Sequence, residues 1–180
     1  MCSSDLRAYF DFKPGPKMRV IIEDGRVFVK RAVAQKLTYD IVMLDAFDAD
    51  YIPEHMLTRE FLQEVKSIMT PNGVIVANTF SNSALYDYES VTYRAVFGPF
   101  YNLKLGNRII LGRSGGISPS TDGALARQNA QALEAEFKKR GSGAEFILPL
   151  LSADIDWNPG ARVLTDQYSP SNLLNALPRN

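Results

Sequence analysis

Tyr39 to Asp50 reads Y-D-I-V-M-L-D-A-F-D-A-D, an apolar run that leads directly into a stretch with two nearby acids, Asp45 and Asp48. The run from Ile41 to Leu44 is continuously apolar, which is typical of a parallel strand covered on both faces. An isolated buried carboxylate is costly, so acids at the end of such a strand usually hold a partner. This stretch therefore predicts a parallel sheet with a binding edge at the carboxyl end of the strand.

Short β-branched runs and helical patterns alternate on both sides of this strand. The predicted elements are a strand at Met18–Glu23, a helix at Gly25–Lys36, a helix at Arg59–Met69 with Thr58 as its N-cap, a turn at Pro71-Asn72-Gly73, a buried strand at Val74–Asn78, a helix at Ser83–Phe97, and a hairpin of Tyr101–Leu105 and Arg108–Gly112. This order is βαβαβ followed by an antiparallel hairpin. It predicts the second half of a doubly wound α/β sheet.

The length of 180 residues favours a single domain with three segments. Residues 1–17 are expected to be a disordered or artefactual tail, because M-C-S-S-D-L resembles the translated remnant of a sequencing adapter. Residues 18–113 would form a partial α/β core, and residues 114–180 a loop and helical extension of the same domain. The extension predicts a loop at Ser114–Gly123, a peripheral helix at Ala124–Arg140, and a turn at Thr165 and Asp166 before a last short helix.

The composition excludes several functional classes. Twenty basic residues balance twenty acidic ones, so the chain lacks the basic excess of proteins that bind nucleic acid or anionic membranes. The single cysteine, Cys2, and the single histidine, His55, leave no internal disulfide and no common zinc site, and we expect no metal. No apolar run reaches the roughly 18 residues that a membrane span requires. We therefore expect a cytoplasmic protein with no membrane segment in this fragment.

Three predicted loops reach the edge of the sheet at which open α/β folds bind their ligands. They contain Asp24-Gly25-Arg26, Asp45 to Asp48, and Thr79-Phe80-Ser81. No G-x-G-x-x-G precedes these strands, although that loop opens the first half of nucleotide-binding folds. We therefore expect the chain to be an N-terminally truncated fragment whose glycine loop lies upstream of Met1.

Several blocks in a fixed order resemble the spermidine synthase family of aminopropyltransferases, and in particular its bacterial spermidine synthase-like branch. The blocks are E-D-G-R-V-F, Y-D-I-V-M-L-D-A-F-D, I-P-E-H-M-L-T-R-E-F-L, P-N-G-V-I-V-A-N, G-N-R-I-I-L-G and V-L-T-D-Q-Y-S-P, and the resemblance spans about Met18 to Leu177. It implies a Rossmann-like methyltransferase-type fold. It also implies aminopropyl transfer from decarboxylated S-adenosylmethionine to putrescine, a polyamine substrate, with release of methylthioadenosine.

The resemblance implies roles for individual residues as well. Asp45 matches the general base, Asp48 matches the acid that binds the amine, and Asp24 with Gly25 matches the position that contacts the adenine. These roles suit the chemistry, because a diamine is protonated near neutral pH and must lose a proton before its nitrogen attacks carbon. The departing thioether is neutral, so no acid has to protonate it. Members of the family pair into dimers, so a homodimer is also implied.

Other interpretations of these residues stay open. Asp45 could cap a turn, Asp48 could lie in a solvated loop, and Asp24 could cap the following helix. A lone histidine in a loop, such as His55, is more often structural or exposed than catalytic. The tyrosines within Ser83–Phe97 have the spacing of packing residues on a helix.

Two other functions stay open for the chain as a whole. One is an S-adenosylmethionine-dependent methyltransferase of the same fold, and the other is a non-catalytic domain that pairs with another chain through an exposed sheet edge. Asp48 is followed by A-D-Y-I-P instead of the family's proline and Gly-Pro pair, which leaves the acceptor amine open. Without the upstream half of the site, we expect this chain to bind weakly and to be weakly active or inactive.

Overall fold

The computed structural model describes residues 13, 15–45, 52–139, 141 and 148–170. Its helices are α1 (Gly25–Ala34), α2 (Arg59–Ser67), α3 (Leu85–Phe97) and α4 (Pro119–Lys139), with short 3-10 helices at Glu54–Met56 and Leu148–Leu150. Its strands are β1 (Tyr39–Leu44), β2 (Met69–Thr79), β3 (Tyr101–Leu105), β4 (Asn107–Arg113) and β5 (Leu151–Ser152). Helices and strands alternate as predicted from α1 to β4, which confirms the α/β class.

The strands of the described residues form one sheet in the order β1-β2-β4-β3-β5. β1 and β2 are parallel, with Leu44 opposite Ala77, whereas β4 is antiparallel to both β2 and β3. Gly106 has a φ angle of 87°, which glycine adopts without strain, and it closes the predicted hairpin of β3 and β4. Because β1 and β2 are parallel, both strands end at the same edge of the sheet.

The core joins the apolar stripe of α2 to the sheet. Phe61, Leu62 and Val65 are fully buried and belong to one cluster with Ile75 of β2. Burial of each such side chain contributes about 1.5–3 kcal/mol. The start of α2 is fixed by Thr58, as predicted, because its hydroxyl accepts the backbone N–H of Phe61 at 3.2 Å. The local sequence thus places the helix that supports the ends of β1 and β2.

The predicted strand Met18–Glu23 is wrong, because these residues are irregular and Ile22 is 73% exposed. In a doubly wound sheet of order 3-2-1-4-5-6, the third strand pairs with the second and not with the fourth. The described residues contain no such second strand, so Met18–Glu23 has no ladder to join. β1 is also not covered on both faces in the described structure, contrary to the prediction, since Ile41 and Met43 are 63% and 70% exposed.

The predicted turn at Pro71-Asn72-Gly73 is also wrong, since these residues lie within β2. Helix α2 ends at Ser67 and the strand begins two residues later. Tyr39 lies opposite Met69, yet Ile41 lies opposite Val74, so the segment between these pairs bulges out of the ladder. A bulge accommodates proline within a strand because the proline nitrogen has no hydrogen to donate.

The extension after β4 agrees with the prediction only in part. Helix α4 begins at Pro119 and not at Ala124, so the end of the predicted loop Ser114–Gly123 is helical. The predicted turn is confirmed, because Thr165 and Tyr168 exchange backbone hydrogen bonds of 2.9 Å. The predicted last helix lies outside the described residues. Within the described part of the chain, no helix is long and apolar enough to cross a membrane.

Candidate functional site

A groove of about 310 Å³ lies between α1 and β1 and reaches the edge at which β1 ends. Phe28 and Val29 of α1 form one apolar wall, and side chains of β1 form the other. Gly25, at the start of α1, and Asp45, directly after β1, both line it. Pockets of about 300–1,000 Å³ suit small-molecule ligands. The fold therefore brings two of the predicted loops to one groove.

Asp45 is exposed at the end of β1 and is held by a neighbour on β2. Its Oδ1 accepts a hydrogen bond of 3.0 Å from Nδ2 of Asn78. This contact follows from the register, since Leu44 lies opposite Ala77. Oδ1 of Asn78 is buried and finds no hydrogen-bond partner among the described residues. Asn78 therefore orients the Asp45 carboxylate through one of its two oxygens.

Asp24 is the N-cap of α1, as one of the two interpretations predicted. Its Oδ1 accepts the backbone N–H groups of Arg26 and Val27 at 2.9 and 3.0 Å, and its Oδ2 lies 2.9 Å from Nε2 of His55. The hydrogen bond from the backbone N–H of Val27 does most to lower the pKa of the Asp24 carboxyl, and the contact with His55 lowers it further. An ionised carboxylate thus stands at the positive end of a helix, beside the groove.

Gly25 lies where α1 meets the short helix Glu54–Met56. A Cβ atom added at this position would stand 2.8 Å from Cε of Met56. The obstacle is the end of a flexible side chain, so this contact alone does not demand glycine. The predicted role of Gly25 in adenine binding is untested by this packing and stays a prediction.

Asp48 lies outside the described residues, so its predicted role in amine binding stays a prediction. His55 is 46% exposed and reaches Asp24, which sequence reasoning did not foresee. The helical tyrosines behave mainly as packing residues: Tyr86 and Tyr93 are buried, and Tyr88 packs against a smaller cluster.

A polar cluster beside the groove ties α1 to the end of the described chain. Nη1 and Nη2 of Arg26 each donate to a carboxylate oxygen of Asp166 at 2.7 Å, and Thr58 donates to the same carboxylate at 2.7 Å. Arg26 also pairs with Glu64 at 3.2 Å. The guanidinium of Arg26 lowers the pKa of the Asp166 carboxyl to about 2. Asp166 therefore forms the predicted turn and also an ion pair that the turn pattern does not predict.

A separate pair of charged residues, Glu89 and Arg108, is buried in the structure. Glu89 of α3 is 1% exposed, and neither carboxylate oxygen has a hydrogen-bond partner among the described residues. Burial raises the pKa of Glu89 to about 7, and the attraction of Arg108, 4.0 Å away, offsets only part of that effect. The guanidinium of Arg108 is itself held by Asn102 and Ser90 at 2.8 Å. Sequence reasoning missed this pair because both residues lie within ordinary amphipathic patterns.

Part of this chain matches a known protein family. Residues 5–98 match the family described as "Spermine/spermidine synthase domain". The sequence is also 46% identical over 170 residues to the polyamine aminopropyltransferase of Vibrio vulnificus (strain CMCP6). That alignment covers 92% of this chain and 56% of the relative, so the chain spans about half the length of this curated protein.

Two solved structures share the architecture. Human methyltransferase-like protein 13, solved in complex with SAH, aligns with a TM-score of 0.61 and 23% identity over 95% of this chain and 72% of that one. A probable spermidine synthase from Corynebacterium glutamicum ATCC 13032 aligns with a TM-score of 0.55 and 19% identity over 89% of this chain and 62% of that one. At these identities the likeness concerns the fold, which is the predicted Rossmann-like methyltransferase type.

Proposed function

Because this chain belongs to the spermine/spermidine synthase domain family, as its sequence blocks predicted, we propose that the protein transfers an aminopropyl group from decarboxylated S-adenosylmethionine to putrescine. The observation that carries the proposal is the common groove: Gly25 and Asp45 both line it, and Asp24 caps the helix that begins at Gly25. The relative from Vibrio vulnificus, a polyamine aminopropyltransferase, supports the same activity.

In this proposal Asp45 is the general base. The lone pair of an amine nitrogen attacks the aminopropyl carbon next to the sulfonium sulfur. The carbon–nitrogen bond forms as the carbon–sulfur bond breaks, and its electron pair stays on sulfur as neutral methylthioadenosine. Before the attack, Asp45 takes one proton from the bound ammonium group and so frees this lone pair, and the product keeps its positive charge as a secondary ammonium. Asn78 supports this role, because its Nδ2 donor fixes one carboxylate oxygen and orients the other.

The other predicted residues bind the two substrates. Asp24 would accept a hydrogen bond from the exocyclic amine of the adenine, beside the backbone of Gly25. Asp48 would hold the cationic amine of putrescine, to which a second carboxylate is suited by charge. An acidic site also disfavours the carboxylate of ordinary S-adenosylmethionine, which favours the decarboxylated form.

The nucleoside half of the proposal is tested by calorimetric titration of methylthioadenosine into the purified chain and into Asp24→Asn. An asparagine keeps the N-cap, because its carbonyl oxygen still accepts the helix N–H groups, but it turns an NH₂ group toward the ligand. We expect saturable binding that this substitution abolishes while α1 stays folded. Equal binding by both proteins would contradict the role of Asp24.

A transfer assay with putrescine tests the proposed role of Asp45 as the general base. We expect Asp45→Asn to lower the rate by about 100-fold or more, as is usual when a general base is lost, and to leave methylthioadenosine binding unchanged. Asp40 provides a matched control, since it stands on the same strand and its carboxylate accepts from Thr70. Transfer that survives in Asp45→Asn, or that falls equally in Asp40→Asn, would count against the assignment.

Methyl transfer is the alternative activity, because human methyltransferase-like protein 13 shares the fold. A competition experiment separates the two activities. Decarboxylated S-adenosylmethionine should displace bound methylthioadenosine at lower concentration than ordinary S-adenosylmethionine does. The opposite order would favour a methyltransferase.

Self-association is a further part of the proposal, because β1 leaves one edge unpaired in the described structure. Ile41 and Met43 are mostly exposed on this strand. An exposed apolar edge strand is suited to pair with a second copy of the chain.

A further inference from the structure

The oxygen of Asp24 that a nucleoside would use already has a partner in this structure. Oδ1 accepts the N–H groups of Arg26 and Val27, and Oδ2 lies 2.9 Å from Nε2 of His55. An ionised carboxylate can only accept, so Nε2 must carry the proton and donate it. The Asp24 and His55 side chains are 44% and 46% exposed, so a ligand can reach the contact from solvent.

The backbone that carries His55 is held in place from two sides. Nη1 of Arg26 donates to the carbonyl oxygen of His55 at 3.1 Å. Oγ of Ser169 donates to the carbonyl oxygen of Glu54 at 3.2 Å. The next side chain, Met56, is buried against Gly25. The short helix is therefore fixed, and the ring can leave Asp24 only by rotation of its own side-chain torsions.

The ring offers Asp24 the same kind of group that an adenine offers. Nε2–H is a planar N–H donor, like the exocyclic amine of a 6-aminopurine, and both would approach the same carboxylate oxygen. A purine with a carbonyl oxygen at that position has no hydrogen to donate and would meet the carboxylate with repulsion. The contact in the free protein therefore imitates the contact with the nucleoside.

We propose that His55 occupies the adenine-binding oxygen of Asp24 in the free protein and that a 6-aminopurine nucleoside must displace its ring in order to bind. This inference rests on the proposed function, since it takes Asp24 as the adenine contact. It makes His55 a determinant of affinity, because the binding-competent arrangement is only the fraction of molecules in which the ring has turned away.

The test is calorimetric titration of methylthioadenosine into the wild-type chain, His55→Ala, Asp24→Asn and the neighbouring control Glu54→Gln. We expect His55→Ala to bind roughly threefold more tightly than the wild type, the size of effect that an exposed charge-assisted contact gives. Glu54→Gln keeps the ring beside Asp24 and should bind like the wild type. Inosine, which carries a carbonyl in place of the amine, should not bind to the wild type, His55→Ala or Glu54→Gln, in which Asp24 keeps its carboxylate.

A spectroscopic measurement distinguishes displacement from a general effect on folding. The chain has one histidine, so its ¹⁵N-labelled imidazole gives one pair of nitrogen signals. Contact with Asp24 keeps the proton on Nε2, and saturating methylthioadenosine should shift the ring to a mixture of its two tautomers. A shift of the same kind should occur in Asp24→Asn without ligand.

Equal or weaker binding by His55→Ala, with binding still lost in Asp24→Asn, would overturn the role of His55 and leave the proposed nucleoside site in place. An imidazole that keeps its tautomer when the site is saturated would do the same. No binding by either the folded wild type or His55→Ala would overturn the nucleoside site, and the inference with it. Binding by His55→Ala alone would support both.

Discussion

Two acidic residues, Glu89 and Asp166, show how the surroundings of a carboxyl group set its pKa in this molecule. Glu89 is buried without a hydrogen bond among the described residues, and Asp166 is half exposed and bound by Arg26. Burial raises the pKa of the first carboxyl to about 7, and the guanidinium lowers the pKa of the second to about 2. The two acids therefore have opposite effects on how stability depends on pH.

For Glu89, the folded protein keeps a proton that the unfolded chain releases above its usual pKa of 4.5. The free energy of unfolding should therefore fall as pH rises from about 4.5 to 7, by on the order of 3 kcal/mol. Glu89→Gln imitates the protonated form and should remove this slope in urea unfolding at pH 5, 6, 7 and 8. Glu134→Gln, on α4, is the control and should retain it. Equal slopes in wild type and Glu89→Gln would contradict the prediction.

For Asp166, the stabilisation is present above the usual pKa of 3.8 and is lost as pH falls through about 2. The side chain is 43% exposed, so solvent weakens the pair, and we expect a coupling of about 1 kcal/mol at pH 7. A double-mutant cycle of Arg26→Gln and Asp166→Asn measures it by urea unfolding. The coupling should shrink toward zero at pH 2. A coupling that is equally large at both pH values would show that the ion pair is not its source.

At the scale of elements, features set by neighbouring residues were predictable. The cap of α2 at Thr58, the stripe of α2 and the glycine turn of the β3–β4 hairpin are all local, and the structure has each of them. Features that depend on residues far apart in the sequence could not be predicted. The bulge of β2 depends on its register with β1, and Met18–Glu23 fails as a strand because it lacks a neighbour.

In the candidate site, too, the local features were predictable from the sequence and the contacts between distant residues were not. Asp45 and Asp24 were found from the ends of predicted strands, and the groove brings their loops together. The contact from Asn78 to Asp45 needs the register of two strands, and that from His55 to Asp24 needs the position of a short helix. The pairing of Arg26 with Asp166 had one usable signal, since each lies in a block that the family shares.

The N-cap of α2 gives a prediction at this scale. Thr58 is 1% exposed, and its hydroxyl both accepts from Phe61 and donates to Asp166. Thr58→Ala should therefore lower the free energy of unfolding by about 1–2 kcal/mol, the upper range for a lost cap. Thr58→Ser keeps the hydroxyl and should lose much less. Thermal or urea unfolding of the wild type and the two variants measures these free energies. An equal loss of stability in both variants would point to packing of the methyl group instead.

At the scale of the whole molecule, the sheet has an open side. Ile41 and Met43 project from a strand that has one neighbour in the described structure, and they line the same groove as Asp45. Exposed apolar edges associate unless charge blocks them.

Sedimentation over a range of concentrations should therefore show reversible self-association of the wild-type chain. The double variant Ile41→Lys, Met43→Lys should stay monomeric, because like charges would face each other across the edge. Leu125→Lys, Leu133→Lys is the matched control, since these leucines are half exposed on α4. Association that the control abolishes, or that the edge variant retains, would place the interface elsewhere.

The ion pair of Arg26 and Asp166 joins residues 140 positions apart and closes most of the described chain into a ring. Helix α4 lies on that ring, with Leu125 and Leu133 half exposed to solvent. A protease that nicks α4 would therefore cut the chain between two parts that noncovalent contacts still hold together. We expect the two pieces to elute together, because β5 pairs with β3 and Trp157 stacks on Phe100 in addition to the ion pair.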